Sequence, residues 1–512
     1  MKDNIFRHST LSKGFPMRAP LPAILLATIS LSACASQPSP TPPVALPAAF
    51  AASRLEAEGL RTARLEPNWW RAFGDPVLDR VVEDALLGNL DIEAAAARLQ
   101  QAAGASRVAS SNRLPSATFG ASGSTQRQSL EDPLARMASA SPDYDRTGDL
   151  YGLGAAASWE LDLFGRLSAA RRAAVSDQRA AAIDVEGARL SVAAEIASAY
   201  ITARELQTRV TIAQARVRTT DEMLDLVALR YAEGAASRFE MDQARADASA
   251  SRAMLPLVEA GRDEALNRID LLSGRAPGQA AAILGEGVVP AALAVTTDDG
   301  PAALLVRRPD IVAAESRLAA ADARVAEALT AYYPRLTIQG LVGFLSSGLS
   351  GLLSDETLQA AGSAGLSGRL FDFGAARGGV EAARGRTREA AATYRLTVLR
   401  AASEAEDGFS RLARGNRHAL ELEESRAALT RANATARTAY DLGGLSLKDA
   451  LDVQRRLLDV EDAAATARAD ASRASVGLFR VLGGGWSSQA ATRASTEACP
   501  QSVSVGAAPC DA

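Results

Sequence analysis

The chain has 512 residues, a formal net charge of -4 and an aromatic content of 5%. The near-neutral charge argues against a nucleic-acid-binding protein, because such proteins carry a basic surface. No stretch after the N-terminal region approaches the roughly 18 consecutive apolar residues of a transmembrane helix, so any membrane span would have to consist of β-strands.

Residues 1–33 have the pattern of a bacterial signal peptide. A basic region precedes a short apolar run over residues 21–31, which is too short for a typical membrane-spanning helix. The run ends in the sequence Leu-Ser-Ala-Cys, which resembles a lipobox, the motif in which the cysteine sulfur receives a diacylglycerol. An ordinary cleavage site with a chance cysteine is the alternative. We predict diacylglycerol and acyl modification at Cys34, followed by a Pro-rich tether over residues 34–66.

The sequence contains no recognisable catalytic or cofactor-binding motif. His418 is the one histidine outside the signal peptide, and it has no Cys or His at ligand spacing. The glycine run at 483–485 is not followed by the Lys-Ser/Thr of a phosphate-binding loop. Cys499 and Cys510 in the C-terminal tail either pair in an oxidising compartment or remain free thiols. We therefore predict a protein that is not an enzyme and binds no metal or cofactor.

Two copies of one structural unit follow the tether. Gly165 and Gly374 lie 209 positions apart, as do Tyr231 and Tyr440. Each copy reads as a helix, a strand, a loop, a strand, a long helix, a turn and a helix, an order too complex to recur by chance. The predicted divisions are the signal peptide at 1–33, the tether at 34–66, a first repeat at 67–274, an inter-repeat segment at 275–301, a second repeat at 302–484 and a tail at 485–512.

The periodicity of apolar residues predicts the elements of each repeat. In the second strand of the first repeat, every second residue from Tyr151 to Leu163 is apolar, a period of two that indicates a strand with one apolar face. The first repeat is predicted to contain a helix over 77–112, a strand over 116–128, an exposed loop over 129–149, a strand over 150–164, and helices over 166–232 and 237–273 on either side of a turn near Gly234. The second repeat is predicted to contain helices over 302–332, 375–441 and 447–482.

The lengths of these elements predict an assembly. Each long helix would span roughly 100 Å, and two shorter helices would stack end to end along it. Four strands per chain cannot close a barrel, and lipid does not tolerate open sheet edges. Two chains would give eight strands with a filled interior, whereas three would give twelve strands around a pore. The sequence therefore favours a trimer.

The predicted fold class is mixed and mainly α. It has two tandem repeats of long coiled-coil helices plus four β-strands per protomer. The trimer would form a 12-stranded transmembrane β-barrel continued by an α-helical barrel, which the family resemblance described below implies to be periplasmic. A long solvent-exposed coiled-coil rod is the alternative on helical periodicity alone, but the strands between the helices disfavour it.

Several motifs between residues 66 and 485 resemble those of a known family. They lie at 69–76 (WWRAFGDP), 159–166, 308–311 (RPDI), 333–336 (YPRL), 371–374 (FDFG) and 451–455 (LDVQR). With these motifs, the chain resembles the TolC family of outer-membrane efflux channels, in its OprM/NodT-like lipoprotein branch. The resemblance implies a lipid-anchored homotrimer in the outer membrane of a Gram-negative bacterium, extending into the periplasm. It also implies an equatorial region built from the segment 275–301 and the C-terminal tail.

The resemblance further implies partners and a function. The partners would be a periplasmic adaptor protein, an inner-membrane pump that is usually of the RND class, and outer-membrane lipid. The function would be that of the outer-membrane channel of a tripartite efflux system, a passive duct for drugs or other small solutes. A duct for type I protein secretion or for heavy-metal efflux is the alternative, because substrate selection rests mainly with the pump.

Members of the family close the periplasmic tip with rings of apolar, acidic and basic side chains. The Asp-Ala-Gln-Arg gate motif matches best at residues 452–455, with Val453 in place of alanine, and threefold symmetry would let opposite charges of neighbouring chains pair. The implied gate residues are Leu447, Lys448, Asp449, Asp452 and Arg455. The apolar gate position falls on Leu447 or on Lys448, where a lysine departs from the family pattern. The alternative is a solvated helix end. Candidates for adaptor docking are Arg230, Gly234, Arg238, Glu240, Asp242, Gly443 and Gly444.

Overall fold

The computed structural model describes residues 45–52, 59–142, 144–296 and 300–486. The predicted lipidation site Cys34 and the two cysteines of the tail, Cys499 and Cys510, lie outside these residues. The helices are α1 Pro76–Gly88, α2 Leu90–Ser111, α3 Pro133–Ala138, α4 Arg166–Ala232, α5 Arg238–Leu272, α6 Ala280–Leu284, α7 Leu304–Arg307, α8 Pro309–Leu329, α9 Ala375–Asp441 and α10 Leu447–Val481. The strands are β1 Arg61–Arg64, β2 Ser116–Arg127, β3 Thr147–Leu161, β4 Leu293–Thr296, β5 Arg335–Ser346 and β6 Leu358–Ser367. The predicted mainly α fold with a few strands is confirmed.

The two long helices α4 and α9 have the predicted bounds. Each begins after a glycine in the left-handed region, Gly165 with φ 77° and Gly374 with φ 92°. An aspartate just before each glycine accepts hydrogen bonds from the first free backbone N–H groups: Asp162 from the helix that follows, and Asp372 from Gly374 and Ala376. The sequences Asp-Leu-Phe-Gly at 162–165 and Asp-Phe-Gly at 372–374 therefore explain why each strand gives way sharply to a helix.

The predicted single helix over 77–112 is wrong, because the chain breaks at Asn89 into α1 and α2. The Asn89 side chain caps α2 by accepting from the N–H of Asp91 and Ile92, and its amide donates to the carbonyl of Leu272 at 2.8 Å. A Cβ on Gly88 would lie 2.6 Å from the carbonyl oxygen of Ser273, so the close crossing of two backbones requires glycine at the break.

Two further boundaries differ from the predictions. The predicted loop over 129–149 contains the short helix α3, which Asp132 caps and Pro133 begins, and β3 already starts at Thr147. The predicted helix over 302–332 is divided at Arg308, whose extended backbone separates α7 from α8. The proline that follows favours an extended conformation in the residue before it, which explains the division.

The larger sheet is antiparallel with the strand order β2-β3-β5-β6. Paired residues share a face, so the register brings Trp159 beside Ile338, and Leu153 beside both Ala121 and Phe344. The opposite face carries mainly small or polar residues. The apolar alternation predicted for β3 therefore extends across the sheet, and β2 and β6 form its two open edges.

A second, parallel pair of strands joins distant parts of the chain. In it β1 pairs with β4, so that Arg61 lies opposite Leu293. The Ser475 hydroxyl on α10 accepts from the Leu293 N–H at 2.9 Å, and Trp69 stacks on Phe479 with ring centroids 5.0 Å apart. These contacts build a buried core at the level where α5 and α10 end.

The long helices differ in how many neighbours they have. Helix α4 packs against α1, α2, α5, α8 and α10, whereas α9 packs against α8 and α10 and touches the short α7. Among the described helices, none has a stretch that is both long and apolar enough to cross a membrane.

Candidate functional site

The candidate site lies where the two helical hairpins turn, far from the larger sheet. Each turn ends a helix of 67 residues, which at 1.5 Å per residue places it roughly 100 Å from the strands. All of the candidate gate and docking residues belong to these two turns or to the first three helical turns beside them. The two turns therefore form the candidate site.

The first turn joins α4 to α5. Gly234 has φ 76°, and the carbonyl of Arg230 accepts from the N–H of Ala235 at 2.7 Å. Ser237 and Glu240 then form a capping box, in which each side chain bonds the other residue's backbone N–H. The hydrogen bonds that the Glu240 carboxylate accepts from the backbone N–H and the hydroxyl of Ser237 lower the pKa of Glu240 below its ordinary value. The geometry thus gives Glu240 a helix-capping role.

The second turn, between α9 and α10, has the same backbone design. Gly443 has φ 74°, and Gly444 donates its N–H to the carbonyl of Ala439 at 2.8 Å. Ser446 caps α10 by accepting from the N–H of Asp449 at 3.2 Å, and its hydroxyl donates to the Asp449 carboxylate at 2.6 Å. Asp449 therefore occupies the position that Glu240 has in the first turn.

The charged gate candidates pair within their own helix. The Asp452 carboxylate accepts from Arg455 at 2.7 Å and lies 3.0 Å from an Arg456 nitrogen. The hydrogen bond from Arg455 holds the pKa of Asp452 below its ordinary value. The sequence predicts that these charges pair between neighbouring chains, but within the single chain they already have partners one helical turn away.

The two turns share one cleft of about 160 Å³. Its charged lining comes from both hairpins: Arg230, Glu240, Asp247, Lys448, Asp452 and Arg455. Met223, Leu226 and Val227 form its apolar wall. The structure thus brings together two adaptor-docking candidates and three gate candidates that the sequence had assigned to separate turns.

The remaining candidates lie outside this cleft. Leu447 is half-buried at the start of α10, and the two turn glycines at 234 and 443 are exposed. Arg238 and Asp242 form an exposed pair at 3.7 Å along one face of α5. Lys448 is exposed at the cleft, so position 448 would contribute a charged and not an apolar side chain to any ring.

A line of polar contacts that the sequence analysis missed joins the two hairpins above the cleft. Gln454 donates to the Thr219 hydroxyl at 2.8 Å, and ion pairs follow between α4 and α10. The pairs are Arg216–Asp459 at 2.6 Å, Arg209–Asp462 at 2.9 Å and Glu205–Arg473 at 2.7 Å. We call this contact line the α4–α10 seam. The sequence signal of such a seam is a set of opposite charges that recur on both helices every three to four residues, or at multiples of that spacing.

No group of acidic, histidine and cysteine residues in the described ranges is arranged to hold a metal ion. The chemistry of the site is that of ion pairs, helix caps and an apolar wall at the mouth of a helical bundle.

Comparisons with known proteins place this geometry in context. A family model described as outer membrane efflux protein matches residues 81–275 and 300–484. The pyoverdine export outer membrane protein OpmQ of Pseudomonas aeruginosa is 32% identical over 478 residues, covering 91% of this chain and 97% of that protein. The toluene efflux pump outer membrane protein TtgF of Pseudomonas putida is 29% identical over 471 residues, covering 90% and 95%. The solved structure of the outer-membrane channel OprN superimposes with a TM-score of 0.76 at 30% identity, covering 88% of this chain and 98% of that one.

Proposed function

The chain belongs to the outer membrane efflux protein family, and we propose that three copies of it form one continuous duct across the outer membrane and the periplasm. It is an outer-membrane efflux channel and not an enzyme. As the outer-membrane component of a tripartite pump, it conducts solute passively, and the energy for export comes from its partners.

The open edges of the larger sheet are the main observation that supports a trimer. Strands β2 and β6 each leave one row of backbone N–H and C=O groups unpaired within the described chain. In lipid, each unpaired group costs several kcal/mol, so the edges need partners. Three sheets joined edge to edge make a closed ring of twelve strands, which is wide enough for a pore.

The open side of α9 supports the same arrangement at the periplasmic level. Of the four hairpin helices, α4 packs against two others, α5 and α10, whereas α9 packs among the described residues against α10 alone. A neighbouring copy that places its α5 against α9 supplies the missing side. The chain then repeats the order α5, α4, α10, α9 around a ring of helices.

The partners we propose are a periplasmic adaptor and an inner-membrane pump of the RND class. The adaptor would meet the exposed turns and the cleft between them, where Arg230 and Lys448 present positive charge beside the carboxylates of Glu240 and Asp452. The relatives named above are exporters of pyoverdine and toluene, which supports small solutes as the exported class. A duct for protein secretion or heavy metals remains the competing function.

Lipidation at Cys34 would add a second membrane attachment. Part of the tether is held firmly to the helical body, because the N–H groups of Ala51 and Ala52 donate to Glu406 at 2.7 and 2.8 Å. Phe50 is buried beside Phe409, with ring centroids 5.3 Å apart. Mass spectrometry of the purified protein should find a diacylglyceryl-modified N-terminal peptide at Cys34. An unmodified N-terminus elsewhere contradicts the lipoprotein assignment.

Deletion of the gene tests the proposed function. The strain should accumulate small fluorescent pump substrates and become more sensitive to drugs, and the wild-type gene should restore both. Native mass spectrometry of the purified protein should give a trimer. Unchanged drug sensitivity, together with loss of a secreted protein or of metal tolerance, would instead favour the competing ducts.

A further inference from the structure

The two hairpins obey one numerical rule. Helices α4 and α9 both have 67 residues, and helices α5 and α10 both have 35. Each element of the second hairpin begins and ends 209 positions after its counterpart. The rule assigns every residue of one hairpin an equivalent in the other, and α9 and α5 are therefore the equivalents of the α4 and α10 that form the seam.

The Glu205–Arg473 pair is the most buried charge contact of the α4–α10 seam. Arg473 donates to the Glu205 carboxylate at 2.7 Å, and the exposed fractions of the two side chains are 25% and 6%. Arg473 also donates to the hydroxyl of Thr202 and to Asp470. Because a half-buried pair with several hydrogen bonds is screened little by water, this contact fixes the level at which the two helices meet.

The equivalents of this pair carry the opposite charges. The position 209 residues after Glu205 is Arg414 on α9, and the position 209 residues before Arg473 is Glu264 on α5. Both equivalents are exposed, and within the described part of the chain neither makes a hydrogen bond or ion pair. The two helices also do not pack against each other in one chain. Two complementary charges thus stand on two surfaces that a single chain cannot bring together.

We propose that Arg414 of one copy and Glu264 of the next form an ion pair, as the charge-reversed counterpart of the Glu205–Arg473 pair. This proposal rests on the trimer proposed above. The seam between copies then repeats the geometry of the seam within a copy. Reversal of the charges serves specificity, because a helix that belongs in one seam meets a like charge in the other.

The surroundings of both residues favour this partner. Arg414 lines an open groove along α9 and α10. Four arginines outnumber two carboxylates in its lining, which leaves the groove net positive: Arg411, Arg414, Arg473, Arg480, Glu404 and Asp470. On α5, the arginines at the same level already have partners, since Arg262 pairs with Asp263 and Arg268 with Glu195. Glu264 is therefore left as an acidic group facing outward.

Apolar residues occur at the matching level of the same two surfaces. Leu420 lies about two helical turns beyond Arg414, and Leu257 lies about two turns before Glu264. Because the helices of the existing seam run antiparallel, these two positions come to the same level. Their exposed fractions are 48% and 65%, which is large for leucine on a helical body. A neighbouring copy would cover both.

Chemical cross-linking tests the contact directly. In a chain whose Cys499 and Cys510 are replaced by serine, Arg414→Cys combined with Glu264→Cys should give covalent trimers with a short bis-maleimide. The matched control is Glu205→Cys with Arg473→Cys, which should cross-link within one chain and migrate as a monomer on a denaturing gel. Either cysteine of the first pair alone should give no trimer.

Charge reversal tests the energetics. Arg414→Glu or Glu264→Arg alone places like charges in each of three seams and should shorten the lifetime of the trimer in detergent by about tenfold at fixed temperature. The double variant restores opposite charges and should return the lifetime to within about twofold of wild type. If a single variant is degraded before assembly, the lifetime of the double variant and the cross-link still decide the question.

The failures of the two proposals are distinguishable. A wild-type chain that remains monomeric contradicts the trimer, and with it the ion pair. A stable trimer without the cross-link, or one in which the double charge reversal behaves like the sum of the two single changes, overturns the ion pair and leaves the duct intact.

Discussion

The first and second hairpins share a backbone and differ in their surroundings. Their turns use the same glycine and serine positions, and their helices have the same lengths. Yet α4 is covered on several sides and contains a fully buried arginine, Arg204, whereas the equivalent position of α9 is Ala413. The repeat therefore preserves the helix lengths and the turn residues. The side chains differ according to whether the helix packs against its own chain or faces outward.

The largest expected effects test the shared backbone. Gly274 and Gly483 end α5 and α10 with φ 67° and 73°, and a Cβ on them would lie 2.1 and 2.6 Å from backbone oxygens of crossing segments. Gly274→Ala and Gly483→Ala should each lower the free energy of unfolding by about 3–5 kcal/mol, since the left-handed conformation and the clash both oppose a methyl group. Thermal unfolding followed by far-UV circular dichroism measures the loss.

The glycines of the two turns provide the matched control. Gly234 and Gly443 have similar φ values of 76° and 74°, but open space surrounds the position of a Cβ. Alanine there should cost only about 1–2 kcal/mol, from the backbone conformation alone. If Gly274→Ala lowered the free energy of unfolding as little as Gly234→Ala, the predicted clash would be wrong. If Gly274→Ala and Gly483→Ala lowered it by very different amounts, the hairpins would not be equivalent in energy.

The next largest effect tests the difference between the hairpins. Arg204 is 2% exposed, donates to the carbonyls of Leu284 and Gly285 at 2.9 Å, and donates to the Tyr200 hydroxyl at 2.9 Å. Arg204→Leu takes this donor from the buried Leu284 carbonyl and from the Tyr200 hydroxyl, whereas the Gly285 carbonyl still accepts from Gln207, and it should reduce the free energy of unfolding by about 2–3 kcal/mol.

An exposed arginine on the same helix controls for the loss of charge. Arg172 makes no hydrogen bond or ion pair with the described residues, so Arg172→Leu should change the free energy of unfolding by less than about 0.5 kcal/mol. Equal losses for the two variants would show that the inter-repeat segment does not depend on Arg204. The chain would then lose its main energetic asymmetry between α4 and α9.

These contrasts explain which parts of the molecule the sequence predicted. The bounds of α4 and α9 were predictable because the turn glycines and the Asp–Gly starts are local signals. The break at Asn89 was missed because the Gly-Asn pair that marks it is weak until the crossing of Ser273 is known. Arg204 and the α4–α10 seam were missed because their partners are distant in sequence. Charge pairs across helices depend on register, which periodicity alone does not fix.

The candidate site divides in the same way. The motif match placed gate candidates on the second turn, but only the structure shows that Arg230 and Glu240 of the first turn line the same cleft. The capping roles of Glu240 and Asp449 were available from the Ser-x-x-Glu and Ser-x-x-Asp spacing. Their assignment as docking or gate residues remains a prediction, as does that of the turn glycines.

The smallest expected effect concerns the tip, where the hairpins differ most in charge. The equivalents of Asp452 and Arg455 on α5 are Gln243 and Ala246, so the pair belongs to the second hairpin alone. An exposed pair contributes only about 0–1 kcal/mol, but three copies around one axis act together. Replacing Asp452 and Arg455 with serine should therefore raise the conductance of the isolated channel in planar bilayers, by about twofold or more.

Salt and acid should both weaken the Asp452–Arg455 pair. High salt screens the pair, so wild-type conductance should rise beyond the trend of bulk conductivity. The lowered pKa of Asp452 means that its ionised form stabilises the pair above the ordinary carboxyl range near pH 4, and that this stabilisation is lost as the pH falls through the lowered pKa. Conductance should consequently be flat around neutral pH and rise only in acid.

The first hairpin again supplies the control. Arg238 and Asp242 form an exposed pair at the tip of α5, outside the cleft, and their replacement with serine should leave conductance, salt response and acid response unchanged. Asp452 and Arg455 differ from this pair because they lie in the cleft with Lys448 and Glu240, where both hairpins meet. If both double variants conduct like wild type, the closing contact lies elsewhere on the tip, and Leu447 is the next residue to replace. If both open the channel equally, surface charge rather than a specific latch controls the tip.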